Sequence, residues 1–239
     1  MTRRRWIADE VSGNRAALVG AHADHLVRVL RTRVGEEFDI VSETTVRRGR
    51  VTSLRDGRVE FELAEEVSAA RLPVVTIVLA IFKFDRMEWA IEKCTELGVS
   101  RIIPLISSRT DSHLTAASAK RTERWRRIAL QASEQSRRTS PPEITSPIKL
   151  SQALTLGDGN RILLSESEEN TLFRDALNLA DPEAGIVLAI GPEGGWTENE
   201  LQSFQQAGWI AASLGNTILR AETAAIAATA VAMSALSSF

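Results

Sequence analysis

The pattern of apolar residues changes at Pro73, and this change constrains the fold more than any other feature of the chain. Val74 to Phe82 is a continuous apolar run, as expected for a strand that is buried on both faces of a sheet. Helical spacing follows over Asp85 to Leu97, and Gly98 is a plausible end of that helix. The alternation continues, with strands predicted at 101–106, 161–165 and 186–190 and helices at about 117–137, 171–179, 198–207 and 220–237. Such alternation predicts an α/β fold with a parallel sheet.

The first 70 residues have a different pattern, in which short strands are separated by turn residues. Strands are predicted at 16–19, 36–41, 49–54 and 59–63, and an Asp-Gly pair at 56–57 predicts a tight hairpin between the last two. His22 to Leu30 has apolar residues at helical spacing. We therefore expect a small β-barrel-like domain with one helix over 1–70, a linker at 68–73, and an α/β domain over 74–239.

Several kinds of site are absent from the sequence. The pair Gly157 and Gly159 lacks the third glycine of a dinucleotide-binding loop, no lysine stands in a phosphate-binding-loop context, and no Gly-x-Ser-x-Gly elbow occurs. The single cysteine, Cys94, excludes an internal disulfide and a cysteine zinc cluster, and its position on an apolar helix face predicts a packing role. The three histidines are not spaced as metal ligands, and no apolar run is long enough to span a membrane. We expect a cytoplasmic protein without a metal site.

The formal net charge of −2 hides an uneven distribution of charge along the 239 residues. Residues 1–70 have 12 basic and 12 acidic side chains, residues 71–150 have 14 and 8, and residues 151–239 have 3 and 11, which gives 0, +6 and −8. Lys120, Arg124, Arg127 and Gln131 share one face of a predicted helix, whose apolar face packs. A free basic face predicts contact with an anionic partner, of which nucleic-acid phosphates are the common case, and ordinary solvation is the alternative.

Two loops combine glycine with a few charged residues, each next to a predicted strand. Gly191-Pro-Glu-Gly-Gly directly follows a buried strand, and Thr197 and Glu200 have the spacing of a capping box for the next helix. The carboxyl ends of parallel strands are where open α/β sheets bind ligands. Leu214-Gly215 ends a second short strand, and Arg220 and Glu222 precede an alanine-rich helix that is apolar nearly all round. That helix must be buried, within the domain or against a second subunit.

These loops resemble those of the bacterial 16S ribosomal RNA uridine-N3 methyltransferases, which belong to the knotted SPOUT superfamily. The resemblance rests on motifs along most of the chain: His25-Leu-x-x-Val-Leu-Arg, Lys83-x-Asp-Arg-x-Glu, Glu92-Lys-x-Thr-Glu-Leu-Gly-Val, Ile103-Pro, Ser108-Arg, Arg124-Trp-Arg-x-Ile-Ala, Glu134-Gln-x-Arg, Gly191-Pro-Glu-Gly-Gly and Leu214-Gly-x-x-Ile-Leu-Arg-Ala-Glu-Thr-Ala. One departure is Asn216-Thr217, which stands where the family often has a basic residue; it concerns an RNA contact and leaves the cofactor loops intact.

The resemblance implies a C-terminal domain with a trefoil knot, a PUA-like barrel before it, a homodimer, and S-adenosylmethionine held in the knot loops. Carried over residue by residue, the implied cofactor-binding residues are Leu164, Ser165, Glu166, Ile190, Gly191, Pro192, Glu193, Gly194, Leu214, Gly215, Ile218, Leu219 and Arg220. The implied partner is 16S rRNA or the small ribosomal subunit.

The RNA-binding residues that we predict are all basic: Arg28, Arg31, Arg33, Lys83, Arg86, Arg109, Lys120, Arg124, Arg127 and Arg137. An Arg47-Arg48-x-Arg50 cluster is a further candidate in the barrel. For catalysis we predict that Arg220 stabilises negative charge on the uracil carbonyls, and that Glu193 or Glu222 orients this arginine or takes the proton. Because N3 lies on the Watson–Crick edge, the target base must be unpaired or flipped out. The alternatives are a related enzyme that modifies another RNA, and a non-catalytic RNA-binding or assembly factor.

Overall fold

The computed structural model describes residues 5–42, 45–55, 57–66, 73–136, 138, 140–157, 159–181 and 184–236, with the side chain of Arg5 left out. The chain divides into two compact units, residues 1–71 and residues 72–239. The predicted linker lies outside the described residues except for Pro73.

The first unit is a six-stranded sheet around its own apolar core. Its strands are β1 (Arg5–Ile7), β2 (Glu10–Ser12), β3 (Arg15–Val19), β4 (Glu37–Ser42), β5 (Thr45–Arg55) and β6 (Arg58–Glu66). Their order is β1-β4-β5-β6-β3-β2, in which β1 and β4 run parallel and the other neighbours run antiparallel. The four predicted strands are confirmed. The strands β1 and β2 were not predicted, because three residues are too few for a period of two to be recognised.

The prediction of a continuous α-helix over 22–30 is wrong. A single α-helical turn, α1 (Ala21–Asp24), leads into a π-helical turn, His25–Val29. The Leu30 N–H bonds to the His25 carbonyl, five residues back, at 3.1 Å. This wider turn keeps Leu26 buried but leaves Val29 64% exposed, so the apolar residues do not share one face as an α-helix would require.

The second unit is an all-parallel sheet, as predicted. Its strands are β7 (Val75–Ala80), β8 (Arg101–Ile106), β9 (Glu143–Ile144), β10 (Ile148–Lys149), β11 (Asn160–Leu164), β12 (Ile186–Ile190) and β13 (Ile210–Ala212). The order is β10-β8-β7-β12-β11-β13, and β9 also pairs with β8. The predicted strand end at Leu214-Gly215 is two to three residues too late, because β13 ends at Ala212.

Helices cover both faces of this sheet. They are α2 (Phe84–Glu96), α3 (Ser112–Ser136), α4 (Leu150–Ala153), α5 (Phe173–Asn178), α6 (Glu198–Gln206) and α7 (Ala221–Leu236). One core contains residues of α2, α3, α5 and α7, and the other contains residues of α4 and α6. The helix α3 begins five residues before the predicted start, because Asp111 accepts the His113 N–H at 2.7 Å and caps it. No helix in the described parts of the chain has the length and apolar character needed to cross a membrane.

The end of α2 is formed as the sequence predicts. Gly98 has φ +106°, and its N–H bonds to the Thr95 carbonyl at 3.0 Å. The Val99 N–H bonds to the Cys94 carbonyl at 3.1 Å, which completes a Schellman motif. A Cβ at Gly98 would lie 2.8 Å from the Met233 side chain of α7, so glycine also permits the close packing of these two helices.

Candidate functional site

Three loops meet at the carboxyl edge of the parallel sheet. The middle strand, β11, pairs with β12 on one side and with β13 on the other, so Leu164 lies beside both Ile190 and Ala212. The loops that leave these three strands therefore start side by side. This is the edge at which open parallel sheets bind ligands.

A cleft of about 630 Å³, open to solvent at its mouth, lies between these loops. The lining residues are Leu164, Ser165, Glu166, Ile190, Gly191, Pro192, Glu193, Gly195, Ser213, Leu214, Gly215, Thr217, Ile218, Leu219, Ala221 and Ala224. Eleven of the thirteen residues predicted to hold a cofactor are among them. Gly194 and Arg220 are not, and Gly195 contributes in place of Gly194.

The Gly191–Gly195 loop is held in a tight turn. The Gly195 N–H bonds to the Pro192 carbonyl at 2.9 Å, and Gly195 has φ +70°, which favours glycine. The next residue, Trp196, is buried and donates its indole N–H to the Leu164 carbonyl at 2.9 Å. This bond joins the β11 and β12 loops, so the two walls of the cleft have a fixed spacing.

Glu200 connects the start of α6 to a further loop, after β8. Its Oε2 accepts the N–H and the hydroxyl of Thr197, each at 2.9 Å, which confirms the predicted capping box. Its Oε1 accepts the Ser108 N–H at 2.7 Å. Burial opposes ionisation of this carboxyl, but the bonds from Ser108 and Thr197 outweigh burial and hold its pKa below the ordinary value. The contact with Ser108 was not predicted, because no local pattern relates residues 92 positions apart.

Arg109 lies next to Ser108 and holds the glycine-rich loop from the same side. Its Nη1 donates to the Gly194 carbonyl. From the sequence we predict Arg109 as an RNA contact and Gly194 as a cofactor contact. The structure instead pairs the two residues with each other, just outside the cleft.

Arg86, in the first turn of α2, lies between two carboxylates from different loops. Its Nη1 donates to Glu193 Oε1 at 2.7 Å, and its Nε lies 3.8 Å from Glu222 Oε1. The Glu222 side chain is 5% exposed, and its Oε2 has no hydrogen-bond partner among the described residues. Among the described residues neither glutamate pairs with Arg220, so the alternative in which one of them orients that arginine has no contact to support it. The ion pairs form with Arg86, which we predicted only as an RNA contact.

Arg220 precedes α7 and is exposed. Its carbonyl accepts the Ala224 N–H at 2.8 Å, as part of the first turn of the helix. Within the described residues its guanidinium has neither a hydrogen bond nor an ion pair, so it is available to a ligand. Among all the residues that the structure describes, no group of three or more His, Cys, Asp and Glu side chains is arranged to hold a metal ion.

The sequence and the fold are similar to those of known proteins. A family model described as the RNA methyltransferase domain matches residues 70–233. Ribosomal RNA small subunit methyltransferase E of Synechocystis sp. is 36% identical over 87% of this chain and 69% of its own length. The enzyme of the same name from Aquifex aeolicus is 31% identical over 95% of this chain and 98% of its own length. The chain belongs to the ribosomal RNA small subunit methyltransferase E family.

Solved structures of two related proteins contain a bound ligand. The methyltransferase E of Neisseria gonorrhoeae, bound to S-adenosyl methionine, has a TM-score of 0.69 and 32% identity, with 96% of both chains covered. A methyltransferase of Legionella pneumophila, in complex with the same molecule, has a TM-score of 0.68 and 27% identity, with 98% of both chains covered. The matches to these structures extend over both units of the present family member.

The basic residues of this family member differ in how available they are. On α3, Lys120, Arg124 and Arg127 are exposed on one face, while Trp125 is buried on the other, as predicted. The prediction that this basic face is free is wrong for Arg124. Its Nε and Nη2 donate to the two carboxylate oxygens of Glu88 at 2.6 and 2.7 Å, and this pair raises the pKa of the guanidinium.

The arginines of the first unit also differ in how available they are. Arg28, Arg31 and Arg33 are exposed, although Arg28 lies 3.8 Å from Asp24. Arg47 instead donates to the carbonyls of Gly13, Leu63 and Ala64 and to the Asn14 side chain, so it stabilises the first unit itself. Lys83 is exposed just before α2, and Arg137 lies outside the described residues.

Proposed function

We propose that this protein transfers the methyl group of S-adenosylmethionine to N3 of a uridine in the 16S ribosomal RNA of the small subunit. The observation that carries the proposal is the cleft at the carboxyl edge of the sheet, which is lined by residues of the two glycine-containing loops. Membership of the RNA methyltransferase family supports the reaction type, and the names of the relatives support ribosomal RNA as the substrate.

The residues of the cleft fit S-adenosylmethionine. Leu164, Ile190, Leu214 and Leu219 offer apolar contacts to a flat heteroaromatic ring, and the backbone edges of the glycine loops offer hydrogen bonds to its polar atoms. The carboxylate of Glu166 suits hydroxyl and ammonium groups. When bound, the cofactor supplies an electrophilic methyl group. The Neisseria and Legionella relatives bind this same molecule.

Chemistry at N3 of uracil requires that a proton leaves and that charge on the base is stabilised. Arg220 is exposed beside the cleft and is not paired with any described residue, which suits an anionic uracil oxygen. Glu193 lines the cleft and is 36% exposed, whereas Glu222 is 5% exposed. Glu193 is therefore the better placed of the two to receive the proton. Most of the rate arises from positioning the base against the methyl group.

Exposed basic residues of each unit bind the RNA backbone in this proposal. In the barrel unit they are Arg28, Arg31 and Arg33; in the α/β unit they are Lys83, Lys120 and Arg127. Arg86, Arg109 and Arg124 are already paired with groups of the protein, so their share in phosphate binding is smaller. Neutralising phosphates with these residues makes the affinity fall as salt rises.

The family fold includes features that we propose for this chain as well: a trefoil knot, a PUA-like barrel and a homodimer. The knot is supported by the segment after β13. The Ser213 N–H bonds to the Thr171 carbonyl at 2.9 Å and the Phe173 N–H to the Ser213 carbonyl at 2.8 Å, before α7 returns to β7 and β12. The mixed six-stranded sheet of the first unit supports the PUA-like barrel.

The outer side of α7 supports the homodimer, because its exposed positions have no charge. Thr223, Val231 and Ser234 are exposed there, and Val231 is 40% exposed. Light scattering tests this proposal: we expect the mass of a dimer for the wild type and the mass of a monomer for Val231→Glu. A monomeric wild type would contradict it.

The decisive experiment is methyl transfer from labelled S-adenosylmethionine to small subunits and to free 16S rRNA, both prepared from cells that lack this protein. Mass-spectrometric mapping should place the label on N3 of one uridine. Label only in tRNA would favour a related enzyme with another substrate. If calorimetry detects no binding of S-adenosylmethionine, the protein is a non-catalytic RNA-binding factor.

Arg220→Ala should slow single-turnover transfer at saturating cofactor, and an unchanged rate would remove Arg220 from the mechanism.

A further inference from the structure

Arg86 contacts residues of two elements that both contribute to the lining of the cleft. Glu193 belongs to the loop after β12 and lines the cleft. Glu222 belongs to the first turn of α7 and directly follows Ala221, which lines the cleft from the other loop. The arginine itself is on α2, a third element. One guanidinium thus connects two cofactor loops to the body of the domain.

The burial of the three side chains indicates what this connection does. Arg86 and Glu193 are 32% and 36% exposed, and an ion pair this exposed adds little to the stability of the fold. Glu222 is 5% exposed, and a carboxylate so far removed from water requires a nearby cation. The described residues place Arg86 Nε at 3.8 Å from it. The contacts among Arg86, Glu193 and Glu222 therefore serve to fix the positions of both loops.

We propose that Arg86 is a positioning residue for S-adenosylmethionine, and that it acts through Glu193 and Glu222 to hold the two cofactor loops at the spacing that the cofactor requires. This inference rests on the proposed function. It gives Arg86 a role that differs from RNA binding. A phosphate contact uses guanidinium donors that face solvent, whereas here Nη1 already donates to a carboxylate at 2.7 Å.

The experiment compares two affinities in the same variants of the full chain. Calorimetry measures binding of S-adenosylmethionine, and fluorescence anisotropy measures binding of a labelled 16S rRNA transcript. For Arg86→Ala we expect the Kd of S-adenosylmethionine to rise about tenfold, as for loss of a charge-assisted bond, and the Kd of RNA to change less than twofold. Arg86→Lys keeps the charge but loses the two-sided contact, so its cofactor affinity should lie between those of the wild type and Arg86→Ala.

Arg174→Ala is the matched control. Arg174 is also an arginine at the start of a helix, but its side chain is 75% exposed and it does not line the cleft. Both affinities should stay within twofold of the wild type in this variant. Glu193→Gln weakens the pair from its other end and leaves Arg86 in place, so it provides a second test if Arg86→Ala fails to fold. We expect the same direction of change in cofactor affinity.

Kinetics separate positioning from a general loss of structure. Arg86→Ala should raise the KM for S-adenosylmethionine and lower kcat, while the KM for RNA stays unchanged. The double variant Arg86→Ala/Glu193→Gln should bind the cofactor no more weakly than Arg86→Ala alone, because both changes break one contact.

Two results would overturn the inference. An unchanged cofactor Kd in Arg86→Ala, together with weakened RNA binding, would make Arg86 a phosphate contact. In that case the wild type still binds cofactor and the proposed function stands. A wild type that binds no S-adenosylmethionine would overturn both the proposed function and the role of Arg86.

Discussion

Replacing Glu200 with glutamine removes one charge from the group that joins α6 to the loop after β8, and leaves its shape unchanged. The carboxylate is 2% exposed and accepts three hydrogen bonds, one from Ser108 and two from Thr197. An amide oxygen turned toward Thr197 can keep those two bonds, but the amide NH₂ then faces the Ser108 N–H, donor against donor. An unsatisfied buried donor costs about 1–3 kcal/mol. The two bonds from Thr197 weaken by roughly 1 kcal/mol in total, because their acceptor is then a neutral amide and no longer a carboxylate. We expect Glu200→Gln to lower the free energy of unfolding by about 2–4 kcal/mol at pH 7.

Urea unfolding followed by tryptophan fluorescence measures this loss directly. Trp196 and Trp209 both contact Phe204 of α6, with ring centroids 5.1 and 5.0 Å apart, so their emission reports on the same core. Glu198→Gln, at the exposed first residue of α6, is the control and should cost about 0.3–1 kcal/mol from the helix dipole alone.

The pH dependence of the difference in unfolding free energy between the wild type and Glu200→Gln gives a second check. Because the pKa of Glu200 is lower in the folded protein, its stabilisation is present above the ordinary value of 4.5 and is lost as the pH falls through the folded value. The wild type and Glu200→Gln should therefore converge in acid. If Glu200→Gln costs no more than Glu198→Gln at pH 7, or if the difference does not shrink in acid, the reasoning is wrong.

Three further predictions concern the cleft, the core and the RNA surface. Gly195→Ala should weaken binding of S-adenosylmethionine in calorimetry, because alanine is strained at φ +70° by about 1–3 kcal/mol and its Cβ would displace the carboxylate of Glu166, which lines the cleft. Cys94 is fully buried, and burial raises its pKa to about 12, so a thiol reagent should label it only after denaturation; rapid labelling of the folded protein would contradict its packing role. The double variant Lys120→Ala/Arg127→Ala should lower the slope of log K for RNA binding against log salt concentration by about 1–2, without changing the affinity for S-adenosylmethionine. An unchanged slope would mean that this face of α3 is solvated and does not contact RNA.

The elements that the sequence predicts best are those whose own residues decide their burial. The strands Arg101–Ile106 and Ile186–Ile190 have the predicted bounds, because a continuous apolar run needs no partner to be recognised. The two-residue strands β9 and β10 were missed, since only pairing with β8 makes them strands. The helix over 22–30 was predicted from spacing, which does not distinguish an α-helical from a π-helical turn at this length.

The partners of the charged residues were hardest to predict. Arg86 and Glu193 are 107 positions apart, and Arg109 and Gly194 are 85 apart. The sequence supplies the basic residues but not the carboxylates and carbonyls that meet them, so it assigned Arg86, Arg109 and Arg124 to RNA. Long-range pairing leaves no local signal, because it depends on how separate elements pack.

By itself, the sequence determined the parallel α/β sheet, the two glycine-containing loops and most residues of the cleft, because burial, turn chemistry and loop position are local properties of the chain. Only the tertiary structure decided which charges meet: Arg86 with Glu193 and Glu222, Glu200 with Ser108, and Arg109 with Gly194. The physical reason is that a charged side chain is equally compatible with water, with phosphate or with a buried partner. The choice among these is made by the packing of distant elements against one another.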